Sequence, residues 1–309
     1  MANPSFDIVL VPDFSGPQAP TFAARSLLFL AAWLEHAGET RSFPLHLACI
    51  GEPPDRVRSL AEMSGAILSL HKPVQLEPSG MANKLRGFEA PLQTGHLLLL
   101  DVDTIILGDL SGLADLGDFL SAAPAIAYRV PEEYWQRIYS ALELHLPPEW
   151  WIACLLDEMA NHPRGTYHLP GSGCLCRPMP PYYNSGVLWA PQSSGLERLW
   201  AEDILRIPAL FTSGDPSWHT VGECDQAGLA TAITRLRKRG VNFQRLPDAW
   251  HVTQVHLFNN WLPLRQVRIF HAIKLFHSMN YPLTAQAMLA GLNQYRARLV
   301  RNYLISWRA

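Results

Sequence analysis

Residues His96–Leu110 read HLLLLDVDTIILGDL. Leu97 to Leu100 are apolar at every position and not at alternate ones, which suits a strand covered on both faces, as in the middle of a parallel α/β sheet. The run ends abruptly at Asp101-Val102-Asp103. Ligands of such sheets bind beyond the carboxyl ends of the strands, so two acids fall where chemistry is expected. Extended alternation puts Asp101 and Asp103 on one side and turns Val102 to the core. Two carboxylates so placed suit a hard divalent cation, Mn²⁺ or Mg²⁺, whose shell is commonly completed by substrate phosphates. The same Asp-x-Asp pattern also arises in ordinary caps and turns, so further landmarks are needed.

Those landmarks follow in order. The segment from Asn83, NKLRGFEAPLQTGHLLLLDVDTIILGDL, resembles the Lys-Leu…Asp-x-Asp-Thr segment of GT-A glycosyltransferases, in particular the retaining group of glycogenin and bacterial lipopolysaccharide galactosyltransferases. Downstream, Tyr183-Asn184-Ser185-Gly186-Val187-Leu188 resembles that group's Asn-Ser-Gly-Val segment, Asp225-Gln226 its Asp-Gln pair, and Leu246-Pro247-Asp248-Ala249-Trp250 its Leu-Pro-x-x-Trp. Ile269-Phe270-His271 resembles the approach to its last metal ligand. The resemblance implies a mostly parallel α/β sheet flanked by helices, a metal held by Asp101, Asp103 and His271, and a nucleotide-sugar donor, a UDP-hexose, transferred with retention. It places Lys84 on the donor diphosphate and Asn184, Asp225 and Gln226 around the transferred sugar. Val11, Pro12 and Asp13 fall at the base by position, with Val102 and Gly186 close to the donor. Beyond His271 the spacing departs from the family: Lys274 stands where a glycine is expected and His277 where a lysine is. Lys274 is therefore a displaced diphosphate candidate, and His256 and His277 are alternatives to His271.

Composition narrows the class. At 309 residues the chain is long enough for one large domain. Charged residues make up 17%, below the usual figure of about 25%, and a net charge of −2 without a basic-aromatic tract excludes a nucleic-acid reading. Five scattered cysteines suggest no disulfide framework, and Cys174-x-Cys176 lacks the second pair of a zinc knuckle. The first residues lack a secretory pattern and no run is long enough to span a bilayer, so a cytoplasmic protein, or one peripheral at the inner face of a membrane, is expected. A nucleotidyltransferase would bring a basic, glycine-rich phosphate loop, and Pro12–Pro20 holds neither lysine nor arginine. A non-catalytic sugar-nucleotide binder is the other alternative, favoured by the altered segment around Lys274.

Periodicity supplies the remaining expectations: strands at Phe6–Val11, Leu45–Ile50, Ala66–Leu70, Ala125–Val130 and Tyr183–Pro191, and helices from a Thr21 cap to Ala37, over Pro53–Met63, Met81–Pro91 and Gly195–Ile207, and from Glu223 onward. A lysine near the start of the Met81 helix is unfavourable for the helix dipole, which points to an anionic partner for Lys84, with Arg86 as a weaker candidate. Residues 131–181 read as an aromatic-rich insertion, helical over Glu132–Leu146 and Pro147–Asn161 and then a proline- and glycine-rich loop. Its aromatic faces suit an acceptor, whether saccharide, lipid-linked, peptide or small molecule, or simply pack as a hairpin. Residues 1–283 form the expected transferase domain. Residues 284–309 read as a basic amphipathic helix carrying Arg296, Arg298, Arg301 and Arg308, suited to a membrane surface or to docking on the domain.

Overall fold

The computed structural model describes residues 6–74, 80–125, 132–147, 151–155, 167–168, 175–211, 224–252, 264–271 and the helical positions 294, 297–298 and 301–302. A seven-stranded sheet runs through the centre. Its strands are β1 (Asp7–Leu10), β2 (Leu45–Ile50), β3 (Ile67–His71), β4 (His96–Leu100), β6 (Leu120–Pro124), β10 (Tyr183–Pro191) and β11 (Phe243–Arg245), in the spatial order β11-β6-β10-β4-β1-β2-β3. All neighbours pair in parallel except β10, which lies antiparallel between β4 and β6. The chain first builds outward from β1 through helix α1 (Ala19–His36), β2, α2 (Asp55–Met63) and β3, then returns to set β4 on the other side of β1. Strand order reverses between β1 and β4, and such a switch point opens a crevice beyond the strand ends.

The leucine run behaves as its pattern demands. Leu97 to Leu100 are each at most 2% exposed. Leu98 and Leu100 enter a core with α1, Ile8 and Leu10, while Leu97 and Leu99 enter a second core with Val9, Trp200 and Ile233 on the opposite face. Full burial of each such side chain contributes about 1.5–3 kcal/mol. The second core is closed by α3 (Glu132–Ala141), α4 (Leu196–Arg206) and α5 (Cys224–Lys238).

Three expectations require correction, and one strand was missed. The Met81–Pro91 helix is a 3₁₀ helix over Gly80–Glu89, so Lys84 stands inside it and not at an α-helical N-terminus. Its apolar residues Ala82, Leu85 and Phe88 recur every third position and all face the second core, a repeat that matches three residues per turn. The strand expected at Ala125–Val130 lies, from 126 on, outside the described residues; just before it the structure adds β6, whose Leu-Ser-Ala-Ala-Pro sequence carries no β-propensity signal and is held by pairing on both sides. The insertion is not helical throughout: β7 (Trp151–Leu155) pairs antiparallel with β9 (Leu175–Met179), which also pairs with β8 (Tyr167–His168). A short apolar run such as WIACL fits a strand as well as a buried helix, and here pairing decides; the expected loop also contributes two of those strands. Finally, α1 starts at Ala19 with Pro20 in its first turn and no side-chain cap, so Thr21 is inside the helix.

At the C-terminus, Arg298 donates to Glu35 Oε2 at 2.9 Å and Asn302 Nδ2 to Glu35 Oε1 at 3.3 Å, which docks this part of the tail on α1. Arg301 is exposed; Arg296 and Arg308 lie outside the described residues. Among the described residues no helix is long and apolar enough to cross a membrane.

The opposite end of the sheet is tied by a buried charge. Asp7 accepts from His46 Nε2 at 2.7 Å, from the backbone N–H groups of Gln93 and Thr94, and from Thr94 Oγ1 at 2.7 Å. Burial alone would raise its pKa, but His46, Thr94 and Gln93 together hold it below the usual carboxylate value. The folded protein thus binds fewer protons here than the unfolded chain: the stabilisation is complete above the unfolded value of about 3.9 and is lost as pH falls through the folded one. We expect Asp7→Asn to cost about 2–4 kcal/mol at pH 7 and to flatten the acid-side slope of stability, measured by urea unfolding between pH 7 and pH 3.

Candidate functional site

Asp101 and Asp103 follow β4 at the switch point. The Asp101 N–H is held by Gly186 O at 2.9 Å, and the Asp101 carbonyl accepts from Thr104 N and Oγ1 at 3.0 and 2.7 Å, which fixes the turn. Val102 is buried in the first core, as alternation requires. The chain then enters β5 (Thr104–Ile106), which pairs antiparallel with β12 (Ile269–His271) and sets His271 opposite Thr104. This ribbon brings a residue 168 positions away against the acids: His271 Nε2 is 3.1 Å from Asp103 Oδ1 and 3.6 Å from Asp101 Oδ2.

Ligating atoms of Asp101, Asp103 and His271 all lie within 4.8 Å of one another, the one such group among the described residues. Two carboxylates and an imidazole form a donor set that suits Mn²⁺-type ions. The surroundings fit as well. A Cβ added at Gly186 would lie 2.3 Å from His271 Cε1 and 2.8 Å from Asp101 Oδ2, so backbone lines the cradle where any side chain would fill it.

Positive charge surrounds this group. Lys84 Nζ lies 2.9 Å from Asp101 Oδ1, 2.7 Å from Ser185 Oγ and 3.3 Å from Asp225 Oδ2. Burial would lower the Lys84 pKa, but Asp101, Asp225 and Asp103 raise it well above the ordinary lysine value, so it stays charged. Arg25, from α1, sits 3.5 Å from Asp103 Oδ2. Burial would likewise raise the Asp103 pKa; His271, by charge and hydrogen bond, and then Arg25 and Lys84 hold it well below the carboxylate range.

The third side of the site comes from β10 and α5. Between Asn184 and Leu188 the pairing of β10 with β6 shifts register, an irregularity in the ladder beside the site. Asn184 Oδ1 accepts the Gly186 N–H at 2.7 Å, while Ser185 Oγ donates to Asp225 Oδ2 at 2.6 Å. Asp225 is 1% exposed, yet its Oδ1 has no hydrogen-bond partner among the described residues. Gln226 follows it, half-buried. Beyond β1, Val11 and Asp13 are half-buried and Pro12 buried; Asp13 bridges to Ile50, orders Ser15 and accepts from Asn83 Nδ2 at 2.9 Å.

Asp101, Asp103, His271, Lys84, Asn184, Gly186 and Asp225 are thus brought together, with Val11–Asp13 at the neighbouring strand end. Lys274, His256 and His277 lie outside the described residues. Arg25, Ser185 and His251, which hydrogen-bonds His271, were not singled out by the sequence. For Ser185 the signal was its place inside the Asn-Ser-Gly segment; Arg25 and His251 carry none, because both depend on long-range packing.

No protein-family model and no curated protein matches the sequence. Solved structures do. Galactosyltransferase LgtC in complex with donor and acceptor sugar analogs superposes at TM-score 0.53 with 15% identity over 94% of this chain and 99% of that one. An active-site mutant of LgtC gives 0.53 and 15% over 93% and 95%. The glycosyltransferase GlyE of Streptococcus pneumoniae TIGR4 gives 0.54 and 14% over 98% of this chain, which spans 64% of the GlyE chain. At these identities the likeness defines the fold: this is a GT-A α/β chain with an Asp-x-Asp group at its switch point.

Proposed function

We propose that the protein is a metal-dependent glycosyltransferase that moves a hexose from a UDP-sugar to an acceptor hydroxyl with retention of anomeric configuration. The observation that carries this reading is the convergence of Asp101, Asp103 and His271 with the Lys84–Ser185–Asp225 cluster at the switch point of a GT-A sheet. Asp101, Asp103 and His271 would hold Mn²⁺ or Mg²⁺, which supplies charge neutralisation to a departing diphosphate.

The chain's own residues supply the rest. Lys84, kept protonated by three carboxylates, places a fixed positive charge where the diphosphate leaves, and it needs no reorganisation to act. Ser185 orients Asp225 Oδ2, which leaves Oδ1 to accept from a sugar hydroxyl. The negative charge of Asp225 also favours positive charge developing at the anomeric carbon. Gln226 and Asn184 would fix the sugar, Gly186 and Val102 line the donor, and Val11, Pro12 and Asp13 receive the base. Lys274 is a further diphosphate contact, and residues 131–181 form the acceptor side of a transferase domain spanning 1–283.

Incubation with UDP-glucose and UDP-galactose in the presence of Mn²⁺ is expected to release UDP. Proton NMR of the released or transferred sugar is expected to show the donor's anomeric configuration. An inverted anomer would refute retention, and absence of UDP release from any UDP-hexose would refute the donor assignment.

A further inference from the structure

His251 lies directly behind the candidate metal ligand. It follows a 3₁₀ turn at Asp248–Trp250, and its N–H donates to Asp248 O at 3.1 Å. The next residue locks it to β12: Val252 N donates to Ile269 O at 3.0 Å, and His271 N donates to Val252 O at 2.7 Å. The two imidazoles meet edge to face, centroids 5.2 Å apart, with His251 Nε2 3.0 Å from His271 Nδ1. His251 is 2% and His271 3% exposed, so water has little access to either ring.

With both imidazoles neutral, the state in which His271 can ligate a cation, two ring nitrogens at that distance share one proton, and its position determines what His271 can do. When His271 carries its proton on Nδ1 and donates it to His251, its Nε2 lone pair faces Asp101 and Asp103. When His251 donates, neutral His271 must carry its proton on Nε2, where it points at Asp103 Oδ1 and no lone pair is left for a cation. A ligating histidine is commonly fixed in its tautomer by an acceptor for its other N–H, and that acceptor is usually a carboxylate or carbonyl. Here the atom in that place is an imidazole nitrogen.

We infer that His251 is a positioning residue: its Nε2 accepts the Nδ1–H of His271 and so holds His271 in the tautomer that ligates a divalent cation through Nε2. This rests on the metal-site reading above and assigns to His251 no contact with substrate. It follows that any side chain offering an acceptor at this point preserves the site, and an isosteric apolar one does not.

The test uses the full chain and Mn²⁺ alone, with the free ion followed by electron paramagnetic resonance. We expect His251→Leu to weaken Mn²⁺ binding roughly 10- to 100-fold. His251→Gln, whose Oε1 can accept, is expected to stay within about threefold of wild type, since the hydrogen bond is kept. Thermal unfolding followed by circular dichroism establishes that each variant is folded. Equal affinities for the leucine variant and wild type, or equal losses for leucine and glutamine, would overturn the inference. The tautomer is read independently of any variant by ¹⁵N-histidine NMR of the Mg²⁺-loaded wild type: a proton on His271 Nδ1 is expected, and one on Nε2 would overturn the inference. Wild type that binds no Mn²⁺ while Asp103→Asn behaves identically would instead remove the metal site itself, and the inference with it.

Discussion

Gly186→Ala is expected to weaken Mn²⁺-dependent UDP binding by roughly 100-fold, the upper end of what disturbing the groups that orient a metal's ligands costs, and to destabilise the fold by about 1–3 kcal/mol. The added methyl would sit 2.3 Å from His271 Cε1, 2.8 Å from Asn184 Oδ1 and 2.8 Å from Asp101 Oδ2. None of these can easily yield. The Gly186 backbone is pinned by its carbonyl to Asp101 N and by its N–H to Asn184 Oδ1. His271 is pinned by the β5–β12 ribbon and by His251. The overlaps are relieved only by displacing the His271 ring together with the Asn184 amide and the Asp101 carboxylate, which opens the cradle. Gly112→Ala is the matched control, because a Cβ there lies 3.4 Å from the nearest Trp250 ring carbon, an ordinary contact. Calorimetric titration of UDP with and without Mn²⁺, beside urea unfolding, separates the two effects. A Gly186→Ala protein that binds as wild type would refute the cradle.

The central part of this architecture was legible because it is local. Four consecutive apolar residues followed by Asp101-Val102-Asp103 fix a doubly covered strand, its exit and the side its acids share, and β4 with its two-faced burial follows from them. Tyr183–Pro191 was likewise readable from end to end. What escaped depends on contacts distant in sequence. β6 has a strand's pairing without a strand's composition, since Ser121, Ala122 and Ala123 are chosen for a crowded interior and not for propensity. WIACL gives the same periodic signal as helix or strand until β9 arrives to pair with it. The 3₁₀ helix of Lys84 was visible in principle through the three-residue spacing of Ala82, Leu85 and Phe88, but a helix-length window reads it as α.

The site shows the same division. The acids, Lys84, Asn184 and Asp225 could be found because short motifs carry them. Ser185 stands inside the Asn-Ser-Gly segment, but its partners Lys84 and Asp225 lie 101 and 40 positions away in sequence, and only the fold brings them to it. Arg25 and His251 reach the site only through the packing of α1 and through the turn that precedes Val252.

Asp103→Asn is the second substitution of large expected effect. Asp103 faces His271, Arg25 and Lys84, and its ionised form is strongly favoured. An amide in its place keeps the volume but removes the charge, leaving the positive groups around it without their counter-charge and a cation with one carboxylate in place of two. Roughly a 100-fold or greater loss of metal-dependent donor binding is expected, equivalent to about 2.7 kcal/mol or more. The same change should bring UDP release from UDP-hexoses close to background, because positioning and charge neutralisation are lost together.

The most direct measurement is therefore calorimetry of UDP binding to wild type and Asp103→Asn, each with Mn²⁺ and in its absence. Binding by wild type that requires Mn²⁺ and is lost in Asp103→Asn is the predicted result. UDP binding that is indifferent to Mn²⁺, or unchanged by Asp103→Asn, would contradict the assignment of Asp101, Asp103 and His271 as the metal centre of a nucleotide-sugar transferase.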